Sequence, residues 1–156
     1  MVHKIYYKHM KKISFLINFL YLIGFSNFTK AESDISLKEY LEKKDIEEGS
    51  TQIYLLNRCS AIYAYASAII LKTDALTSKG FIEKANNLLF KSVELMIIDE
   101  QQKLEDAQKD AEDKRKKLFE KYVADGKKNW DKNKSHFKGS YIAGDMSICS
   151  KLVDDK

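Results

Sequence analysis

TQIYLLNRCSAIYAYASAIILKT, residues 51–73, decides how this chain folds. Ile53, Leu56, Ser60, Tyr63, Ser67 and Ile70 recur at alternating steps of three and four residues. Leu55, Cys59, Ile62, Ala66 and Ile69 form a second series of the same kind. Both series match the 3.6-residue period of an α-helix, and together they leave little of its circumference polar. A helix that is apolar nearly all round is normally buried among several neighbours. Its small residues, among them Ser60, Ala61, Ala64 and Ser67, let other backbones approach closely. Length alone would also permit a bilayer span, since about 20 residues cross the hydrocarbon layer. Asn57 and Arg58 oppose that, because an arginine inside a span costs about 2.5–3.5 kcal/mol. The stretch is expected to be the central helix of a bundle.

The flanking sequence is helical too. The chain contains no proline. After residue 31 it has only Gly49, Gly80, Gly126, Gly139 and Gly144, and no run alternates apolar and polar residues as a half-buried strand would. Upstream, Ser36 followed by Glu39 is a capping box that opens a short helix, with Gly49 as its expected stop. Downstream, Phe81, Ala85, Leu88, Leu89, Val93, Met96 and Ile97 keep helical spacing, and the pattern thins but continues through Leu104, Ala107, Ala111, Leu118 and Tyr122. The highly charged residues 99–117 contain no helix breaker. Local propensity favours one long helix over 79–125, with Asp125-Gly126 as its first breaker; a hinge near 99–103 is the competing reading. The charged stretch itself reads as a solvated face with i,i+4 pairs such as Asp110–Lys114. Residues 124–139, with five lysines, Trp130 and Phe137, read as a connector or frayed helix end. A last helix spans 140–155, with Ile142, Met146, Cys149 and Val153 on one face. The expected fold is all-α: a small bundle of three to four helices, one of them long.

Cys59 and Cys149 are the only cysteines. Each falls on the apolar face of its helix, and an even pair in an oxidising compartment most simply forms one disulfide. Closing a loop of about 91 residues is worth on the order of 4–5 kcal/mol in the chain-entropy model. Arg58 precedes Cys59, and Asp145 lies one helical turn before Cys149. A bridge would bring that level of the two helices together, so Arg58 and Asp145 are expected to meet as a buried ion pair that fixes register.

The N-terminus reads as an address. Residues 1–12 carry four lysines and no acid, residues 13–25 (ISFLINFLYLIGF) are mostly apolar, and Thr29 and Ala31 place small residues at a cut between Ala31 and Glu32. Basic, apolar and small-residue regions in that order form a secretory signal peptide, and the apolar run is shorter than the ~20 residues of a span. The expected organisation is a leader over 1–31 and one helical domain over 32–156, exported to the periplasm or secreted. Heavy use of Lys, Ile, Asn, Tyr and Phe fits an AT-rich bacterial genome, for which export means the periplasm. The charge follows the same division. The full chain has 27 basic and 23 acidic residues; without the leader's five lysines it has 22 and 23, a net of −1. The basic character therefore belongs to the leader, and net charge gives no argument for a nucleic-acid partner.

The domain offers little chemistry. It has one histidine, His136, so catalytic arrangements that need histidine must all pass through a lysine-rich connector. No C-x-x-C, H-E-x-x-H, Glu-x-x-His or phosphate-binding glycine loop occurs. No catalytic residue, metal ligand or cofactor is expected. The expected function is a non-enzymatic envelope protein acting through its helix surfaces on a protein partner or a membrane face. The alternative is a carrier of a small apolar ligand beside the helix bearing Tyr54, Tyr63 and Tyr65.

Overall fold

The computed structural model describes residues 34–154; the expected leader and its Ala31–Glu32 junction lie outside them. The described residues form five helices and no strand: α1 (Leu37–Leu41), α2 (Gly49–Ile70), α3 (Ala75–Asp99), α4 (Leu104–Asn133) and α5 (Tyr141–Asp154).

The stretch quoted at the outset is α2, and it lies at the centre. Fourteen of its 22 residues are buried, and it packs against α3, α4 and α5. Among the described residues only α2 is long and apolar enough to cross a membrane, and 72 % of that stretch is buried inside the bundle. Ser60, Ser67 and Asn57 are hydrogen-bonded to the antiparallel α3. Ser60 Oγ donates to the Ala85 carbonyl at 2.7 Å, Ser67 Oγ to the Ser78 carbonyl at 2.9 Å, and Asn57 Nδ2 to Ser92 Oγ at 2.7 Å. Small side chains permit that proximity, and each buried polar group so paired avoids the ~1–3 kcal/mol cost of an orphan.

Three boundaries differ from the sequence expectation. The short first helix ends at Leu41 rather than near Gly49, and Gly49 opens α2 instead. The capping contact is present, with Glu39 N–H donating to Ser36 Oγ at 3.1 Å. Leu37 and Tyr40 are the helix's buried residues, whereas 42–48 is exposed throughout. With no apolar face to bury, that stretch lacks the packing that sustains a short helix.

The long helix expected over 79–125 is two helices. It breaks at residues 100–103, where Gln101 adopts a left-handed φ of 55°. Propensity lost to packing. Turning back places Ala107 and Ala111 in full burial against Ile53, Leu89, Val93 and Met96, an apolar contact that a straight rod would forgo. Conversely, α4 does not stop at Asp125-Gly126 but runs to Asn133. A helical glycine costs only about 1 kcal/mol relative to alanine, and here its missing side chain is used: a Cβ on Gly126 would overlap the Tyr65 hydroxyl. The connector shrinks to residues 134–140, and Lys134 ends α4 in the left-handed region with φ 54°.

Candidate functional site

Cys59 of α2 and Cys149 of α5 form a disulfide with Cα atoms 5.3 Å apart, and both residues are fully buried. One residue from Cys59, Arg58 is buried among hydrogen-bonding partners. Its Nη2 lies 2.7 Å from Asp145 Oδ2, with both side chains 1 % exposed. Nε also donates to Asp145 Oδ2 at 3.0 Å and to the Tyr122 hydroxyl at 3.1 Å. Nη1 donates to the Tyr54 hydroxyl at 2.8 Å, and Nη2 to the Ile35 carbonyl at 2.6 Å. Asp145 is equally occupied: the Tyr122 hydroxyl donates to Oδ2 at 2.7 Å and the Leu37 N–H to Oδ1 at 2.7 Å. The rings of Tyr54, Tyr122 and Tyr141 surround the guanidinium at 5.8–6.0 Å, within cation–π range.

Four elements therefore converge on one pair: α2 supplies the cation, α5 the acid, α4 the bridging phenol, and the lead-in to α1 a carbonyl and an amide. The electrostatics follow from burial. Burial alone would lower the Arg58 pKa, but the oxygens of Tyr122, Asp145 and Tyr54 outweigh it and the net direction is up. The Tyr122 phenol is held well above its usual range by burial first, with Asp145 adding to the rise and Arg58 opposing it. A second, shallower network lies beside it. Tyr141 donates to Asp125 Oδ2 at 2.8 Å, and Lys121 reaches Asp125 at 2.9 Å and Asp34 at 3.2 Å. Burial pushes the Asp125 carboxyl up, yet the bonds from Lys121 and Tyr141 prevail and its pKa is lowered.

This cluster is closed to solvent and its donors are directed at acceptors within the chain. The pair links α2 to α5, and its hydrogen bonds tie residues 35–37 to both. Among the described residues no group of three or more His, Cys, Asp or Glu side chains is placed to hold a metal. His136, half-buried, has Nδ1 3.0 Å from the Tyr65 hydroxyl and stacks on Trp130 at 4.9 Å between ring centres. The sequence reading named Arg58 and Asp145 and missed Tyr122, Tyr54 and Tyr141. The available signal for Tyr122 was its place on the thin apolar stripe of α4, four residues after Leu118.

Leu76, Ile98 and Phe90 on α3 are 83 %, 71 % and 61 % exposed. Their spacing, in steps near seven or its multiple, puts them on the side of α3 opposite its buried residues. Among the described residues, three open grooves cut the surface. Two have charged rims: about 400 Å³ between α3 and the end of α5 at Phe90 and Leu152, and about 500 Å³ between α3 and α4 at Ile82 and Phe119. The third, about 340 Å³, is lined only by Ala66, Ile70, Phe81, Phe137, Ala143 and Met146.

Comparison of the chain with protein-family models, with curated proteins and with solved structures found no match.

Proposed function

We propose that the protein is a non-enzymatic binding protein, exported to an oxidising compartment, that works through the outer faces of its helices on a protein partner. The observation that carries this reading is the exposed apolar series Leu76, Phe90 and Ile98 on the solvent side of α3. Aligned along one side of a helix, such side chains offer a partner apolar surface to bury. The buried disulfide supports the compartment, since such bonds persist where thiols are not kept reduced. The test is site-specific photo-crosslinking in cells from a reactive phenylalanine analogue at position 90, compared with one at exposed Lys127. A discrete protein adduct from position 90 alone supports the reading, and equal labelling from both positions counts against it. The intact mass of the purified protein reports in parallel whether the chain begins at Glu32.

A second reading, a carrier of a small apolar ligand, draws support from the wholly apolar groove at Ala66, Phe81 and Met146. Its volume falls in the range of small-molecule sites, about 300–1,000 Å³. Native mass spectrometry of protein taken directly from its compartment reads any bound molecule as added mass.

A further inference from the structure

The two ends of the bundle carry opposite charge, and each also carries unpaired apolar surface. Gly49 begins α2 beside Asp99, whose side chain lies where a Cβ on Gly49 would reach. The α1–α2 loop and the α3–α4 turn therefore share one end. There, residues 45–50 and 97–106 hold seven carboxylates and one lysine. Glu47, Glu48, Asp99, Glu100, Glu105 and Asp106 make no ion pair among the described residues. Within that acidic surround Ile46, Ile98 and Leu104 stand 49 %, 71 % and 56 % exposed.

The opposite end is the other way round. Residues 70–74 and 127–140 hold six lysines and two aspartates. The wholly apolar groove of about 340 Å³ opens there, lined by Ile70 at the end of α2 and Phe137 in the connector. Both lining residues are followed within two positions by exposed lysines, Lys72 and Lys138.

We propose that copies of this chain associate head to tail, the acidic apolar end of one seating in the lysine-flanked groove of the next. Charge and hydrophobicity select the same pairing: branched aliphatic side chains ringed by carboxylates meet an apolar groove flanked by ammonium groups. A single chain cannot make this contact with itself, because α2 alone separates its two ends by roughly 30 Å. Nor does an acidic rim suit an anionic lipid surface, which would repel it. Opposed patches steer encounter and suppress the wrong orientation, acidic end to acidic end. The contact is heterologous, so it generates a ring if the rotation closes and a filament if it does not. It shares Ile98 with the proposed function, which is tested separately at Phe90, outside both ends.

The test is sedimentation velocity of the full, disulfide-bonded chain over a concentration series at low and high salt. Association that grows with concentration and weakens about tenfold or more on adding salt is expected, as for contacts between exposed charges. Ile98→Ser is expected to weaken it with every charge intact. A chain carrying Glu47→Lys, Glu48→Lys, Glu100→Lys and Glu105→Lys has two basic ends; one carrying Lys72→Glu, Lys132→Glu and Lys138→Glu has two acidic ends. Neither is expected to associate alone, and an equimolar mixture is expected to restore association, with the two variants alternating. All of these positions are exposed, and far-ultraviolet circular dichroism checks that each variant folds. A wild-type monomer at every concentration and salt overturns the proposal, as does association indifferent to both charge reversals. An added ligand mass that persists in monomer from the cell would also overturn it, since the groove would then be filled by another molecule. A photo-crosslink from position 90 would survive any of these failures.

Discussion

Arg58 and Asp145 show why a buried charge pair is judged by its removal rather than its presence. Desolvating both groups costs about as much as their attraction returns, so replacing the pair by apolar residues of like volume is often neutral. Deleting one partner is different, because it leaves the other's charge uncompensated at 1 % exposure. Arg58→Ala and Asp145→Ala are each expected to lower unfolding free energy by about 3–5 kcal/mol in urea titrations. The double variant is expected to lose clearly less than the sum; additive losses would show that the two side chains do not depend on each other. A smaller effect of opposite sign is expected at Thr51. Its Oγ1 is buried with no hydrogen-bond partner among the described residues, so the fold carries the desolvation cost of that hydroxyl. Thr51→Val keeps the shape and removes the cost. A gain of about 1 kcal/mol in the same titration is expected, where most core substitutions lose.

Glycines divide by what surrounds their helices. Gly80 in α3 and Gly144 in α5 face open space, with nothing within 4 Å of an added Cβ. Alanine there reduces the freedom of the unfolded chain at no steric cost, and each change is expected to raise stability by about 0.5–1 kcal/mol. Gly126→Ala makes the same local change in α4 and is expected to destabilise, because the Tyr65 hydroxyl occupies the space. Thermal melts of the three variants should separate in sign; a rise in all three would mean that Tyr65 yields without penalty. The contrast marks what could be read from sequence. Periodicity located α2, the α3 face and α5, since apolar spacing there records burial directly. It could not locate the break at 100–103, because Gln101 is not a residue type that advertises a left-handed turn and because the reward for turning lies in Ala107 and Ala111 meeting a different helix. Gly126 misled for a related reason: its meaning as a contact depends on Tyr65, sixty-one positions away in the chain. At the buried cluster, sequence placed Arg58 and Asp145 at the level of the cysteines. Nothing in spacing along one helix could show that phenols from α2, α4 and α5 would close around them.

The molecule as a whole is tied across α2 and α5 by one bond, and that much followed from cysteine count and helix face. What did not follow is that the bond lies among phenols whose neutral form the fold protects. Tyr65 and Tyr122 are raised by burial, and Tyr141 by burial and its bond to Asp125. A free tyrosine in the unfolded chain titrates near pH 10. Since the folded values lie above that, the stability they contribute is whole below about pH 10 and is lost as the pH rises towards the folded values. In that window the unfolded chain holds up to three fewer protons than the folded one, so stability should fall by at most about 4 kcal/mol per pH unit. Phenolate absorbance from these three residues should therefore appear together with the loss of helical circular dichroism rather than ahead of it. Tyr122→Phe removes one of the three protons from the balance and should reduce the steepness of the alkaline transition, although it also leaves Asp145 short of a donor and lowers stability at neutral pH. Titration of all three phenols in a chain still helical would contradict the closed cluster at Arg58. Below pH 4 the sign reverses through Asp125, whose lowered pKa adds stability above its unfolded value and withdraws it as the carboxyl protonates. That loss should be the gentler of the two, because Asp125 keeps partial contact with water and its attraction to Lys121 is screened accordingly.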